Sequence, residues 1–132
     1  MLIALWLFLG LLLGAVFIAL GRAVVPNERL LFSVSLWVVA FIYVVFAVSG
    51  DGRGWLEVEA LGVVLYGGMG LLGMFHSPRW LILGWAAHPI WDVALHFFGG
   101  GSAFTPESYS ISCVTFDLLV AVYIATRLRK WR

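Results

Sequence analysis

The chain has 132 residues, of which 63% are hydrophobic and only 11% charged. A soluble domain is about half apolar and about a quarter charged, so a mean hydropathy of +1.03 leaves too few charges to cover a water-facing surface. A formal net charge of +1 gives no bulk field for polyanions, which argues against a nucleic-acid partner. The single cysteine, Cys113, excludes an internal disulfide. The composition leaves one integral membrane domain covering residues 1–132.

A membrane helix needs about 20 mainly apolar residues. The first such segment is Leu2–Leu20. It lacks a basic leader, is too long for a signal-peptide core and has no small-residue cleavage site, so it reads as a retained span. Gly10-x-x-x-Gly14 within it lets another helix approach closely. After the break Gly21–Arg29 comes Leu30–Val48, and after Ser49–Gly54 comes Trp55–Phe75. Gly62, Gly67, Gly68, Gly70 and Gly73 mark this third span for tight packing. His76–Arg79 separates it from Trp80–Phe98, and Gly99–Tyr109 leads to the fifth span, Ser110–Thr126. The expected fold is an all-α bundle of about five transmembrane helices.

Basic residues orient such a bundle, because cytoplasmic loops carry an excess of Lys and Arg. With five spans, Arg22, Arg29, Arg79, Arg127, Arg129, Lys130 and Arg132 share one side, and only Arg53 lies opposite. The N-terminus is therefore expected outside and the C-terminus inside a bacterial inner membrane. Membrane lipids are the expected partners, the basic tail anchoring topology at anionic headgroups. A homo-oligomer is a further expectation.

Ionisable side chains at mid-bilayer cost roughly 2.5–3.5 kcal/mol each on insertion scales. This chain nevertheless places His88, Asp92 and His96 on span four, Glu57 and Glu59 at the start of span three, and Cys113 and Asp117 on span five. In an antiparallel arrangement all of them fall in the outer half of the membrane, which requires them to face inward. His88, Asp92 and His96 recur every four residues and share one helix face. Groups at i and i+4 can bind one metal. His88 and His96, however, lie about 12 Å apart along the axis, too far to ligate one ion comfortably. Three arrangements stay open. One histidine–aspartate pair binds a metal with carboxylates from spans three and five; Asp92 bridges two metals; or Asp92 orients a histidine ring. Histidine with carboxylate suits zinc, iron or manganese, and a Cys113 thiolate favours zinc or copper. Pro89 predicts a kink at the carbonyl of Trp85. Tyr43 lies towards the outer end of span two, within reach of the site or as an interfacial aromatic.

The pattern Gly84-Trp85-x-x-His88-x-x-Trp91-Asp92-x-x-x-His96-x-x-Gly99, then Pro106 and Cys113-x-x-x-Asp117, resembles a family of small bacterial multi-pass membrane proteins of unknown function. The similarity extends to Trp55-x-Glu57. The resemblance implies that His88, Asp92, His96, Cys113 and Asp117 act as a unit, joined by Glu57 rather than Glu59. Relatives often carry a second cysteine beside the aspartate. Here that position is Phe116, which argues against a thiolate pair. The resemblance implies no activity.

Three functions follow from these residues. The first is a membrane enzyme with a metal-assisted or acid–base site, zinc its favoured cofactor. Glu57, Asp92 and Asp117 are its candidate catalytic groups. His88, Asp92, His96, Glu57, Asp117 and Cys113 are its candidate ligands, and its substrate is lipid-like or small and apolar. The second is an ion, proton or metal carrier using the same groups. The third is a structural accessory subunit pinned by a buried polar network.

Overall fold

The computed structural model describes Leu2–Trp131. Met1 and Arg132 lie outside the described residues, and with Arg132 goes one of the basic residues counted above. Five helical segments cross the molecule, joined by short connections. They are α1 (Leu2–Val24), α2 (Glu28–Ser49), α3 (Leu56–Phe75), α4 (Arg79–Trp91) and α5 (Glu107–Arg127). A 3₁₀ turn at Arg53–Trp55 runs into α3, a π turn at Asp92–Phe97 extends α4, and another 3₁₀ turn occupies Gly100–Ala103. Among the described residues, four helical stretches are long and apolar enough to cross a membrane: Leu2–Val24, Glu28–Ser49, Arg53–Phe75 and Glu107–Arg127.

The expected fourth span, Trp80–Phe98, is where the observed helix differs. Its α-helical part is only 13 residues long. Pro89 has no N–H for the Trp85 carbonyl, so the ladder breaks inside the helix. Downstream the turn widens, and the N–H of Phe98 reaches the carbonyl of Val93, five residues back, at 3.0 Å. Such π turns are uncommon and often sit at functional sites.

Glycine determines which helices touch. A Cβ on Gly10 would stand 1.9 Å from the carbonyl oxygen of Ser112, and one on Gly14 3.2 Å from Leu119. The Gly10-x-x-x-Gly14 face is thus spent inside the chain, holding α1 against α5. Thr115 reinforces the contact by donating to the carbonyl of Leu7 at 2.6 Å. On α3, Gly70 faces the backbone of Ser33 on α2, and Gly73 faces Leu81 on α4. Leu, Val, Ile and Phe side chains cover the outside, among them Phe8, Val64, Leu71, Ile90 and Val122, all at least 60% exposed. In water such a surface would aggregate; in a bilayer it is solvated by acyl chains.

The two ends of the bundle differ. One gathers the basic residues. There Glu28 accepts from Arg127 Nη2 at 3.1 Å and from the Tyr123 hydroxyl at 2.9 Å. Arg29 donates to the carbonyls of Gly73 and Trp131 at 2.7 and 3.2 Å. The half of the interior next to this end is apolar, built from Phe32, Leu36, Leu81, Trp85, Val120 and Ile124. The other half holds the ionisable groups.

Candidate functional site

Each helix contributes through its buried stripe. On α2 the buried positions include Leu36, Ala40, Tyr43 and Ala47. On α3 they are Glu59, Gly62, Tyr66, Gly67, Gly70 and Gly73. On α5 they include Ser110, Cys113, Asp117, Val120 and Ile124. Residues three and four apart share a helix face, so the stripe that packs the bundle also carries Tyr43, Glu59 and Asp117 into its interior. From α4 and its π turn come His88, Asp92 and His96, all at most 1% exposed.

These groups form a triad, His88 with Asp92 and Asp117, and an adjoining pair, His96 with Glu59. In the triad, His88 Nδ1 lies 2.8 Å from Asp117 Oδ2 and 3.2 Å from Asp92 Oδ2. The shorter contact is a hydrogen bond; the longer is an ion-pair approach that leaves Asp92 Oδ2 without one. Among the described residues, His88, Asp92 and Asp117 can offer ligand atoms that all lie within 4.8 Å of one another. In the pair, His96 Nε2 lies 2.8 Å from Glu59 Oε1. Tyr43 joins the two. Its hydroxyl donates to Asp92 Oδ1 at 2.5 Å, and its ring stacks on His96 with centroids 3.8 Å apart.

The surroundings shield both groups. Tyr66 meets the His88 ring edge-on at 4.8 Å. Over His96 lies the loop after the π turn: a Cβ on Gly101 would come 2.6 Å from the His96 ring, and one on Gly100 2.6 Å from Trp55. Only glycine lets this loop backbone close so tightly over the histidine. Several buried polar atoms still lack a partner. Among the described residues they include His88 Nε2, Asp92 Oδ2 and Asp117 Oδ1 in the triad and His96 Nδ1 and Glu59 Oε2 in the pair. An unsatisfied buried polar group costs about 1–3 kcal/mol, more when charged.

Of the expected site residues, the structure brings together His88, Asp92 and Asp117. His96 is buried with them but turns to another partner. Glu57 is not brought to them: its side chain is on the exposed face of α3, while Glu59 is 1% exposed and bonded to His96. The reason is helical phase, since Glu59 shares the stripe of Gly62, Tyr66, Gly70 and Gly73, whereas Glu57 falls on the opposite side with Leu61 and Val64. Cys113 is buried one turn before Asp117, yet stands outside the three-residue set. It lines a groove of about 190 Å³ with Gly10, Val39, Ile42, Tyr109 and Phe116. Tyr43 is fully buried and central rather than interfacial. Its place on the Leu36–Ala40–Tyr43–Ala47 stripe was the signal that pointed inward.

The fold and site together define a class: an all-α bundle, with four helical stretches among the described residues long and apolar enough to cross a membrane, around buried histidine–carboxylate groups. Within that class the chain belongs to a family of unknown function (DUF6010), whose family model matches residues 5–129. No curated protein and no solved structure matches the chain.

Proposed function

We propose that this chain holds a divalent transition metal, zinc in first place, on His88, Asp92 and Asp117. We propose further that it works as a metal-assisted membrane enzyme on a lipid-like or small apolar substrate. The observation that carries this reading is the convergence of three fully buried ligand side chains. A tetrahedral ion with ligand bonds of about 2.0–2.2 Å separates its ligand atoms by about 3.3 Å. The three residues can offer ligand atoms within 4.8 Å of one another, and the 2.8 Å hydrogen bond between His88 Nδ1 and Asp117 would have to open by a few tenths of an ångström to admit the ion there. Charge argues the same way, because a dication balances the two carboxylates that His88 alone cannot. Tyr43 would then fix Asp92 from behind, as outer hydrogen-bond partners fix metal ligands elsewhere.

Such an ion supplies a Lewis acid or an activated water. The Glu59–His96 pair, held beside it by Tyr43, is placed to move a proton. The groove lined by Tyr109 and Cys113 offers an approach for an apolar substrate, since Tyr109 packs edge-on against Tyr43 at 5.4 Å. A carrier would instead require polar groups across the whole bundle. The half towards the basic end is filled by Phe32, Leu36, Leu81, Trp85 and Ile124, which disfavours a path through one chain. The basic-residue asymmetry supports an orientation with the site in the outer half of a bacterial inner membrane.

The test is elemental analysis of purified protein, parent against His88→Ala and Asp117→Asn. The reading expects about one bound ion per chain, lost in both variants. Unmetallated parent after reloading with zinc, iron and manganese would refute it and leave the polar network a structural role.

A further inference from the structure

At the basic end, exposed side chains of the closely packed α2 and α3 border a cleft of about 330 Å³. Its walls include Leu30, Val34 and Trp37 on α2 and Gly67, Leu71 and Phe75 on α3. The cleft exists because glycine replaces bulk on α3. Gly67 admits the Trp37 indole, which a Cβ there would meet at 2.1 Å, and Gly70 brings the α3 backbone against Ser33. The one hydroxyl along the wall, Ser33, donates back to the carbonyl of Arg29 at 2.8 Å, so the lining presents no free polar group from this side chain. From Leu30 to Trp37 the cleft runs about 10 Å along the helix.

The neighbouring residues at the same end make a different surface. Asn27, Glu28, Arg29, Lys130 and Trp131 line a polar pocket of about 380 Å³. Glu28 is already engaged by Arg127 and Tyr123. Arg29 spends Nε and Nη1 on the carbonyls of Gly73 and Trp131, which fixes the guanidinium between α3 and the C-terminal segment. Lys130 is exposed. The charge left for a visitor is therefore positive. Arg29 and Leu30, adjacent in sequence, belong one to each surface.

We propose that this cleft and pocket together bind one anionic phospholipid, an acyl chain lying between α2 and α3 and the phosphate held at Arg29 and Lys130. An apolar slot lined from Leu30 to Trp37, next in sequence to a pocket that carries Arg29 and Lys130, matches a lipid in both shape and charge. A bare phosphate has no use for the slot, and a helix of a second copy has no use for the cations. The site is independent of the histidine–carboxylate centre.

Native mass spectrometry of the full-length protein released from detergent micelles tests it. The probes are dioleoyl phosphatidylglycerol and dioleoyl phosphatidylcholine at equal concentration. Each basic residue near the phosphate is expected to contribute about fivefold in retention. The phosphatidylglycerol adduct should thus survive activation that strips phosphatidylcholine. Lys130→Gln should weaken it about fivefold, and Arg29→Gln at least as much. Leu71→Trp, at a position 63% exposed, should fill the slot and abolish selective retention. Arg29→Gln also removes two backbone contacts, so Lys130→Gln and Leu71→Trp carry the test if that variant fails to fold. Equal retention of both lipids would overturn the proposal, as would retention unaffected by Leu71→Trp. Glycerol phosphate competing as well as intact lipid would overturn it in favour of a phosphate site. A dimer dispersed by Leu71→Trp would overturn it in favour of a second copy in the cleft.

Discussion

Two glutamates stand two residues apart at the start of α3, and the structure gives them opposite roles. Glu59 is buried against His96 at 2.8 Å, while Glu57 is exposed. Glu59→Gln keeps the volume but exchanges a charge-assisted hydrogen bond, worth about 1.5–3 kcal/mol, for a neutral one worth about 0.5–1.5. A loss of about 1–2 kcal/mol follows. Glu59→Ala removes one partner of a buried pair altogether, which costs about 3–5 kcal/mol. Glu57→Gln and Glu57→Ala, on the exposed face, should stay within about 0.5 kcal/mol of the parent. Reversible unfolding in mixed micelles of increasing dodecyl sulfate content, followed by helical circular dichroism, resolves these differences. A Glu57→Ala variant as damaged as Glu59→Ala would refute the helical phase assigned to α3, and with it the pairing of His96.

Other perturbations probe the remaining contacts. Tyr43→Phe removes only the hydroxyl that donates to Asp92 Oδ1; metal affinity measured by chelator competition should fall about 10–100-fold with stoichiometry unchanged. An unchanged affinity would separate Tyr43 from the centre. Gly10→Leu drives side-chain atoms into the Ser112 carbonyl, where even a Cβ would stand at 1.9 Å. It should destabilise the chain by at least about 1–3 kcal/mol, whereas Gly68→Ala, with nothing within 4 Å of its Cβ, should be neutral or stabilising by up to about 1 kcal/mol. If Gly10→Leu changed oligomeric state and left stability intact, the glycine face would belong to another copy rather than to α5.

Much of this architecture is legible in the sequence because hydropathy, glycine and proline act locally. The apolar runs of α1, α2, α3 and α5 match helices long enough to span a membrane. The inward demand on buried charge marks His88, Asp92, His96, Cys113 and Asp117 together with Glu57 and Glu59, without saying which of them meet. Pro89 announces a break in the fourth segment, although not that the chain would recover through a π turn. The choice between Glu57 and Glu59 required helical phase rather than depth, and the glycine stripe on α3 held that information. Pairing across helices is the part no periodicity supplies. That His88 takes Asp117 while His96 takes Glu59 depends on how α3 and α5 rotate about their axes, which is fixed by the fit of Gly10 on Ser112, Gly70 on Ser33 and Gly73 on Leu81. Equally, Tyr43 as the link between the triad and the pair emerges only when α2 is seated.

The most direct measurement is the metal content of the protein purified in detergent and reloaded with zinc, iron or manganese, alongside Asp92→Asn, Asp117→Asn and Glu57→Gln. About one ion per chain is expected in the parent and in Glu57→Gln, with loss of that ion in both aspartate variants while the helical spectrum is retained. An ion retained in both aspartate variants, or a parent that takes up none of the three metals, would contradict the assignment of His88, Asp92 and Asp117 as a metal centre.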